Sequence, residues 1–494
     1  MTADSSASQL AELPSERQNY IDGEWVDAES GETFKTTNPA SPDETVASYP
    51  QSDESDAERA IEAAVAVQPD WAATPAPERG RVLIEASNRL AERKSEITDL
   101  LVSEEGKTQA EAGGEVQRAI DIFAYYGSRA RDRTGTVKAS SSENTTLYTV
   151  DQPVGVAGLI TPWNYPIAIP AWKIAPALAT GNAAVLKPAT LAPGPAVEIA
   201  RALDDAGLPA GVFNVVTGPG SSVGATFTEH EGIDAVSFTG SSAVGEQVYQ
   251  DAASLGKRVQ TELGGKNPTV VSASADIDQA ADIVSMGAFG VTGQACTACS
   301  RAIVHTDVYG EFVEAVVDRA SAIDVGPGDE YDMGPQVSES ELEGTLEYIE
   351  TAQEQGNELA HGGEQLSGDR YGDGYFVQPT VFVDVAPDDT LACDEVFGPV
   401  LAVIEAQDFD DAVEIANDVE YGLSASVVTE NYTEAKRFVD EIEAGVAKVN
   451  EKTTGLELHV PFGGFKRSSS ETWREQGDAG MDFFTISKTV YENY

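Results

Sequence analysis

Residues 154–160 read Val-Gly-Val-Ala-Gly-Leu-Ile, and three further short apolar runs follow at Ala183–Leu186 (AAVL), Val212–Val216 (VFNVV) and Ala235–Phe238 (AVSF). Between and after them lie helical patterns at Ile169–Ala179, Pro193–Asp205, Ser221–His230 and Ala243–Leu255. Strand–helix alternation at this spacing builds βαβ units, and βαβ units build a parallel sheet of nucleotide-binding type. A second series begins at residue 269. Its expected strands are Thr269–Val271, Ser300–Val304, Val400–Ile404, Ser424–Val428 and Ala447–Asn450. Its expected helices are Ile277–Phe289, Tyr309–Ser321, Glu339–Gln355, Phe409–Asn417 and Thr433–Ile442. Two α/β domains facing each other, with a ligand cleft between them, are therefore expected.

The flanks read differently. Tyr20–Trp25 (YIDGEW) predicts a strand and tight turn. Asp56–Val67, Glu78–Lys94 and Lys94–Glu105 carry apolar residues three and four apart, which predicts helices. Residues 145–152 (TTLYTVDQ) alternate as a strand, and Phe484–Val490 predicts another near the end. No internal repeat is visible, and the polar first dozen residues are the one low-complexity segment.

The chain has 494 residues, enough for two to four domains at ~150 residues each. Acidic residues number 83 against 31 basic, a net charge of −52. That balance leaves no positive excess to neutralise phosphates, which excludes a free-standing nucleic-acid binder. It equally disfavours an anionic membrane surface. Hydrophobic residues at 41% are too many for a disordered chain, and no apolar run approaches the ~20 residues of a membrane span. The start shows no secretory signal, and three cysteines are too few for a disulfide framework. A cytoplasmic globular protein is expected. The carboxylates are spread along the whole chain, and their repulsion destabilises a compact state in dilute salt. At ~1 M salt the Debye length falls to ~3 Å, so the composition points to a salt-rich cytoplasm.

Cys296 lies in FGVTGQACTACSR (289–301), between a helical pattern and a strand. Backbone N–H groups at such a junction can support a thiolate, although a lone cysteine is more often a small buried hydrophobe. With Cys299 it forms a C-x-x-C pair, which alone reads as a redox motif or half a zinc site. Only Cys393 and the scattered His230, His305, His361 and His459 remain to complete a metal site, so no metal is expected. Thr161-Pro-Trp-Asn-Tyr-Pro166 follows a strand. Its Asn164 can serve an oxyanion or simply cap a helix. Phe238-Thr-Gly-Ser-Ser-Ala-Val-Gly245 joins strand to helix, where a pyrophosphate can sit, but it is not the G-x-G-x-x-G fingerprint. Gly218-Pro-Gly220 also misses that spacing. In Glu262-Leu-Gly-Gly-Lys-Asn-Pro268 a carboxylate stands beside flexible glycines, which suits a mobile base.

Seven segments in order, TPWNYP, LKPA, FTGS, ELGGKNP, GQACTA, EVFGPV and PFGGFK, resemble the aldehyde dehydrogenase superfamily over essentially the whole chain. The ending GLELHVPFGGFKRSSSETWREQGDAGMDFF resembles the members that oxidise α-ketoglutarate semialdehyde (2,5-dioxopentanoate) in sugar-acid (pentose) degradation. The resemblance implies two Rossmann-like α/β domains and a small β bridging element. An NAD(P)-binding domain would span 1–129 and 154–264, a catalytic domain 265–465, and an oligomerisation element 130–153 and 466–494. A homodimer or homotetramer is implied.

Family roles carry over by motif position. Cys296 would be the nucleophile, Asn164 an oxyanion donor with the Cys296 N–H, Glu262 the general base, and Lys173 a lysine near the site. Lys187 would meet the adenosine ribose, with Gly240, Ser241 and Gly245 along the pyrophosphate. Glu395 would hold the nicotinamide ribose, and Phe397 would pack beside the ring. Thr161, Pro162, Trp163 and Gly220 complete the cofactor set. Many NAD-specific members carry Glu three residues after the family lysine, where this chain has Thr190. A neutral hydroxyl removes repulsion toward a 2′-phosphate, so NADP⁺ is the expected preference and NAD⁺ is accepted. Acylating relatives generally lack the Glu at position 262, so its presence favours hydrolysis of a thioester. For the substrate's distal carboxylate, Lys452 and Arg301 are the candidate cations. Succinate semialdehyde or another small aliphatic aldehyde is the alternative substrate, and an idle structural or binding protein is the non-enzyme alternative.

Overall fold

The structure is a computed structural model that describes residues 14–132, 135–328 and 330–494. The polar first dozen residues lie outside these. Two seven-stranded sheets organise the molecule. The first runs in the order Arg258–Glu262, Ala235–Thr239, Val156–Ile160, Ala183–Lys187, Phe213–Val215, Asn19–Ile21, Glu24–Val26. Its first five strands are parallel. Both faces of the strands at 156–160, 183–187 and 235–239 are buried, which is why they read as continuous apolar runs and not as alternation.

Both sheets are mixed, not purely parallel as the alternation predicted. The edge hairpin Asn19–Ile21/Glu24–Val26 pairs antiparallel, turning through Asp22 at φ +54° and Gly23 at φ +77°. Two successive positive φ values suit the right-handed twist of a two-residue hairpin. The second sheet runs Glu358–His361, Thr380–Val383, Val400–Ala406, Cys299–His305, Asn267–Val271, Ser424–Val428, Val446–Val449, and Glu358–His361 is its antiparallel edge. The strands Glu358–His361 and Thr380–Val383 were not expected; each carries four residues, too few to show a period in the sequence. The hairpin Thr33–Asn38/Ser41–Pro50 was also not expected, because few of its side chains are buried and they leave little apolar pattern.

The expected helix 221–230 is instead a π turn at Gly220–Gly224 followed by the short helix Ala225–Glu229. The C-terminal strand, Thr485–Asn493, pairs antiparallel along the whole of Thr145–Pro153, with Val137–Lys138 beyond it. Of greatest consequence for the site is the helix Gln109–Arg129. Thr108 and Glu111 close a capping box at its start. Its Glu115 Oε1 accepts the N–H groups of Ile167 (3.0 Å) and Ala168 (3.1 Å), thereby capping the neighbouring helix Ala168–Thr180.

In the first sheet the order reverses at Val156–Ile160, which lies between the first and third of the strands that follow it in sequence, Ala183–Lys187 and Ala235–Thr239. The crevice beyond the carboxyl ends there is where open α/β sheets bind ligands. Thr161 and Gly240 stand at those ends. Glu262 closes the outermost strand, and Leu263–Lys266 then carries the chain directly into the second sheet at Asn267.

Candidate active site

Cys296 sits on the loop between the helix Ile277–Phe289 and the strand Cys299–His305. Val291 and Thr292 in this loop hold φ of +54° and +55°, costly for β-branched residues, so the surroundings must impose the conformation. Glu111 Oε1 accepts the Val291 N–H at 2.6 Å, and Gln294 Oε1 accepts the Val337 N–H at 2.9 Å. Asn164 Nδ2 donates to Gln294 O at 3.0 Å, and Asn267 Nδ2 donates to Cys296 O at 2.8 Å. Gly265 must be glycine, since a Cβ there would lie 2.7 Å from Cys296 O. These contacts bring Asn164 to the loop of Cys296.

The two cysteines of the C-x-x-C pair have different surroundings. Cys296 is half-buried and lines a cavity, whereas Cys299 is in the core with Sγ 3.2 Å from Thr269 Oγ1. Burial pushes the Cys299 thiol up to about 11. The Cys296 thiol is raised further, by burial first and then by the carboxylates of Glu395, Glu262 and Glu475, while the Thr297 N–H favours the thiolate. Among the described residues, no group of three or more His, Cys, Asp or Glu is placed to hold a metal ion.

Glu262 is buried, with Oε2 accepting the Gly464 N–H at 3.2 Å and Oε1 without a hydrogen-bond partner among the described residues. Desolvation, then the charge of Glu475, holds its carboxyl well above the ordinary 4.5, partly offset by Arg474 and Lys173. Lys173 Nζ donates to Ser237 Oγ at 2.7 Å and pairs with Glu475, and the charges of both act on Glu262. Glu475 was not singled out in the sequence; nothing local marks a Glu in SETWREQ as a partner of residues 262 and 173.

Of the proposed cofactor residues, Ser241 and Glu395 line a groove of about 840 Å³. Ser241 is exposed at the N-cap of the helix Ser242–Ser254 and makes no side-chain cap, leaving the first N–H groups open to an anion. Gly245 is instead buried under Leu263, whose Cδ2 would lie 2.2 Å from an added Cβ, so its glycine serves helix docking. Gly240 N donates to Glu262 O at 3.2 Å, while Gly220 faces open space. Glu395 Oε1 accepts the Gly265 N–H at 3.0 Å, and burial lifts its carboxyl to about 7. Phe397, at φ +59°, meets Trp163 edge-on with ring centroids 5.4 Å apart. Lys187 is buried and desolvation lowers it to about 8, with Thr190 half-buried three residues on. Thr161 and Thr239 each keep a buried hydroxyl without a partner among the described residues. Unmatched buried hydroxyls at the carboxyl ends of the strands Val156–Ile160 and Ala235–Thr239 fit a polar ligand such as a dinucleotide. Pro162 follows Thr161 in the same turn.

A separate cavity of about 290 Å³ opens onto Cys296, walled by Tyr165, Trp172 and Phe462 and including Lys107 and Arg118. Neither candidate cation of the sequence reading lies there. Arg301 is fully buried and spends its N–H groups on the carbonyls of Lys266 (2.8 and 3.1 Å), Ile415 (3.1 Å) and Ala416 (3.0 Å). Lys452 lies outside the cavity lining. Arg118 was missed, although Glu111, Glu115 and Arg118 at four- and three-residue spacing share one face of a helix.

Two α/β sheets joined through Leu263–Lys266, a cysteine opening onto a small apolar-walled cavity, and a groove at the open helix start of Ser241 fit a dinucleotide-dependent oxidoreductase. Residues 25–490 match the aldehyde dehydrogenase family, and the chain belongs to that family. It is 66% identical over 477 residues to an alpha-ketoglutarate semialdehyde dehydrogenase of Haloferax volcanii, covering 97% of this chain and 99% of the relative. The structure of a betaine aldehyde dehydrogenase from Staphylococcus aureus in complex with NAD⁺ superposes with a TM-score of 0.95 at 32% identity, covering 99% of this chain and 97% of that one. A 3,6-anhydro-L-galactose dehydrogenase solved with NADP bound gives a TM-score of 0.93 at 36% identity, covering 97% of this chain and all (100%) of that one.

Proposed function

We propose that this aldehyde dehydrogenase oxidises α-ketoglutarate semialdehyde to α-ketoglutarate by way of a thioester on Cys296, with NADP⁺ preferred and NAD⁺ accepted. The observation that carries the chemistry is the convergence of Cys296, Asn164 and a buried Glu262 with one free carboxyl oxygen. The 66% identity to the Haloferax volcanii enzyme supports the substrate.

The chain's own groups supply most of the steps. Cys296 Sγ, on losing its proton, bonds to the aldehyde carbon and leaves an O⁻ on the former carbonyl oxygen. Asn164 Nδ2 uses one hydrogen on Gln294 O and has the second for that oxygen, where a preplaced donor contributes ~2.7–4 kcal/mol. A bound oxidised nicotinamide would supply the acceptor for the hydride of the tetrahedral carbon, whose loss leaves Cys296 as a thioester. Glu262 then takes a proton from a water whose oxygen attacks the thioester carbon, the C–S bond breaks, and the thiol and a carboxylic acid result. Glu395 would hold the ribose next to the nicotinamide, Lys187 and Thr190 the adenosine ribose, and the helix start at Ser241 the pyrophosphate. Thr190 supports the NADP⁺ preference because it places no negative charge beside Lys187.

The three-stranded sheet supports a homodimer or a homotetramer, since Val137, Ile486 and Tyr491 on it are exposed apolar side chains. Three free thiols support a reducing cytoplasm, and among the described residues no helix is long and apolar enough to cross a membrane. Initial rates with α-ketoglutarate semialdehyde, succinate semialdehyde and pentanal, each with both cofactors in molar KCl, test the reading. The highest kcat/KM is expected for α-ketoglutarate semialdehyde with NADP⁺. A higher value for pentanal refutes the substrate, and no reduced nicotinamide with any aldehyde refutes the activity.

A further inference from the structure

Two cations line the cavity of Cys296, and only one of them is committed elsewhere. Lys107 Nζ is buried, 2.8 Å from Glu115 Oε2 and 3.4 Å from Glu105 Oε1, and it also donates to Asn164 O. It holds the Asn164 turn in place and has no charge to spare. The two lining carboxylates are likewise engaged. Glu115 caps the helix Ala168–Thr180 and pairs with Lys107, while Glu111 accepts from Val291 and Thr108.

Arg118 is different. Its Nη2 donates to Gln476 Oε1 at 3.0 Å, and it forms no ion pair among the described residues. A guanidinium carries five N–H donors in a planar fork, so most of its capacity is unused. Burial lowers its pKa, partly offset by Glu457, Asp121 and Tyr126. Gln476, which orients it, is buried and held at φ +62°, a conformation that a glutamine adopts only under constraint. In the same cavity, Trp172 Nε1 is buried without a hydrogen-bond partner among the described residues. A buried indole N–H normally finds an acceptor.

We propose that Arg118, with Trp172 Nε1 beside the same cavity, receives the carboxylate end of the substrate and thereby selects acid semialdehydes over neutral aldehydes. This rests on the substrate reading above. A carboxylate brought there satisfies both unmatched donor sets at once, and its geometry matches the guanidinium fork. The cavity's modest volume, about 290 Å³, suits a short chain between the two ends.

The test is the ratio of kcat/KM for α-ketoglutarate semialdehyde over pentanal, in wild type and in Arg118→Ala and Arg118→Lys. Loss of a charged hydrogen bond lowers the ratio by about 10- to 150-fold in Arg118→Ala, mainly through KM, with partial rescue by Lys. Trp172→Phe keeps the ring and loses only the N–H, so it lowers the ratio by about 2- to 12-fold. A structural role for Arg118 would depress both aldehydes alike, and an unchanged ratio in Arg118→Ala overturns the assignment while leaving the substrate reading intact. A wild-type ratio below one instead overturns the substrate reading. If neither Arg118 variant folds, an unchanged ratio in Trp172→Phe overturns the proposal.

Discussion

Replacing Glu262 with Gln separates the two halves of the reaction, and the structure gives each half its own sign. Gln has the same shape, and its oxygen can still accept the Gly464 N–H, which Glu262 Oε2 meets at 3.2 Å. The fold should therefore be kept. The base is lost, however, and a positioned general base is worth about 100- to 10,000-fold, so steady-state turnover should fall by that factor. Acylation should not suffer. Glu262 is one of three carboxylates that push the Cys296 thiol up, so removing it makes the thiolate easier to form. Stopped-flow mixing should thus show a burst of reduced nicotinamide equal to the number of active sites, followed by a near halt. The pH dependence has a definite direction. Glu262 works only when deprotonated, and desolvation with the Glu475 charge holds it protonated well above the ordinary 4.5. Wild-type steady-state rate should rise with pH through that elevated value, and the variant should lose this limb. Absence of the burst would refute the reasoning, because Glu262 would then be needed before hydride transfer.

Three further outcomes follow from other parts of the molecule. In Gly264→Ala the new Cβ would lie 1.9 Å from Glu395 Oε2, so the carboxylate must swing aside and give up the Gly265 N–H at 3.0 Å. Because a flexible side chain yields, the melting temperature should hardly move, while KM for the cofactor should rise about tenfold in initial-rate assays. Thr190→Glu should move the NADP⁺/NAD⁺ ratio of kcat/KM toward NAD⁺ by about 10- to 100-fold at low ionic strength, since the new carboxylate faces the 2′-phosphate and can bind ribose hydroxyls. Lowering KCl from molar to ~0.1 M lengthens the Debye length to ~10 Å, and the net charge of −52 should then lower the melting temperature; a temperature independent of KCl counts against the salt-adapted reading.

Local pattern carried the strands best where burial on both faces left a continuous apolar run, as at 156–160, 183–187 and 235–239. It failed where that signal was short or turned to solvent, as at Thr380–Val383 and in the hairpin at 33–50. The glycines beside Glu262 were read as freedom for a base to move. The structure gives Gly264 and Gly265 another reason: a Cβ on Gly264 would push the Glu395 carboxylate aside, and one on Gly265 would meet Cys296 O.

By itself the sequence determined the α/β alternation, the family motifs and the residue types able to perform thiol chemistry, because each is written in a few consecutive residues. The tertiary structure alone decided which charges line the Cys296 cavity. Arg301, five residues from Cys296, turns its guanidinium onto backbone carbonyls of another segment, while Arg118, far away in sequence, lines the cavity. Glu475 likewise reaches Lys173 only because the C-terminal segment packs back over the first sheet. A charge's role depends on whether burial leaves it a partner, and that follows from how distant segments pack, which no local spacing records.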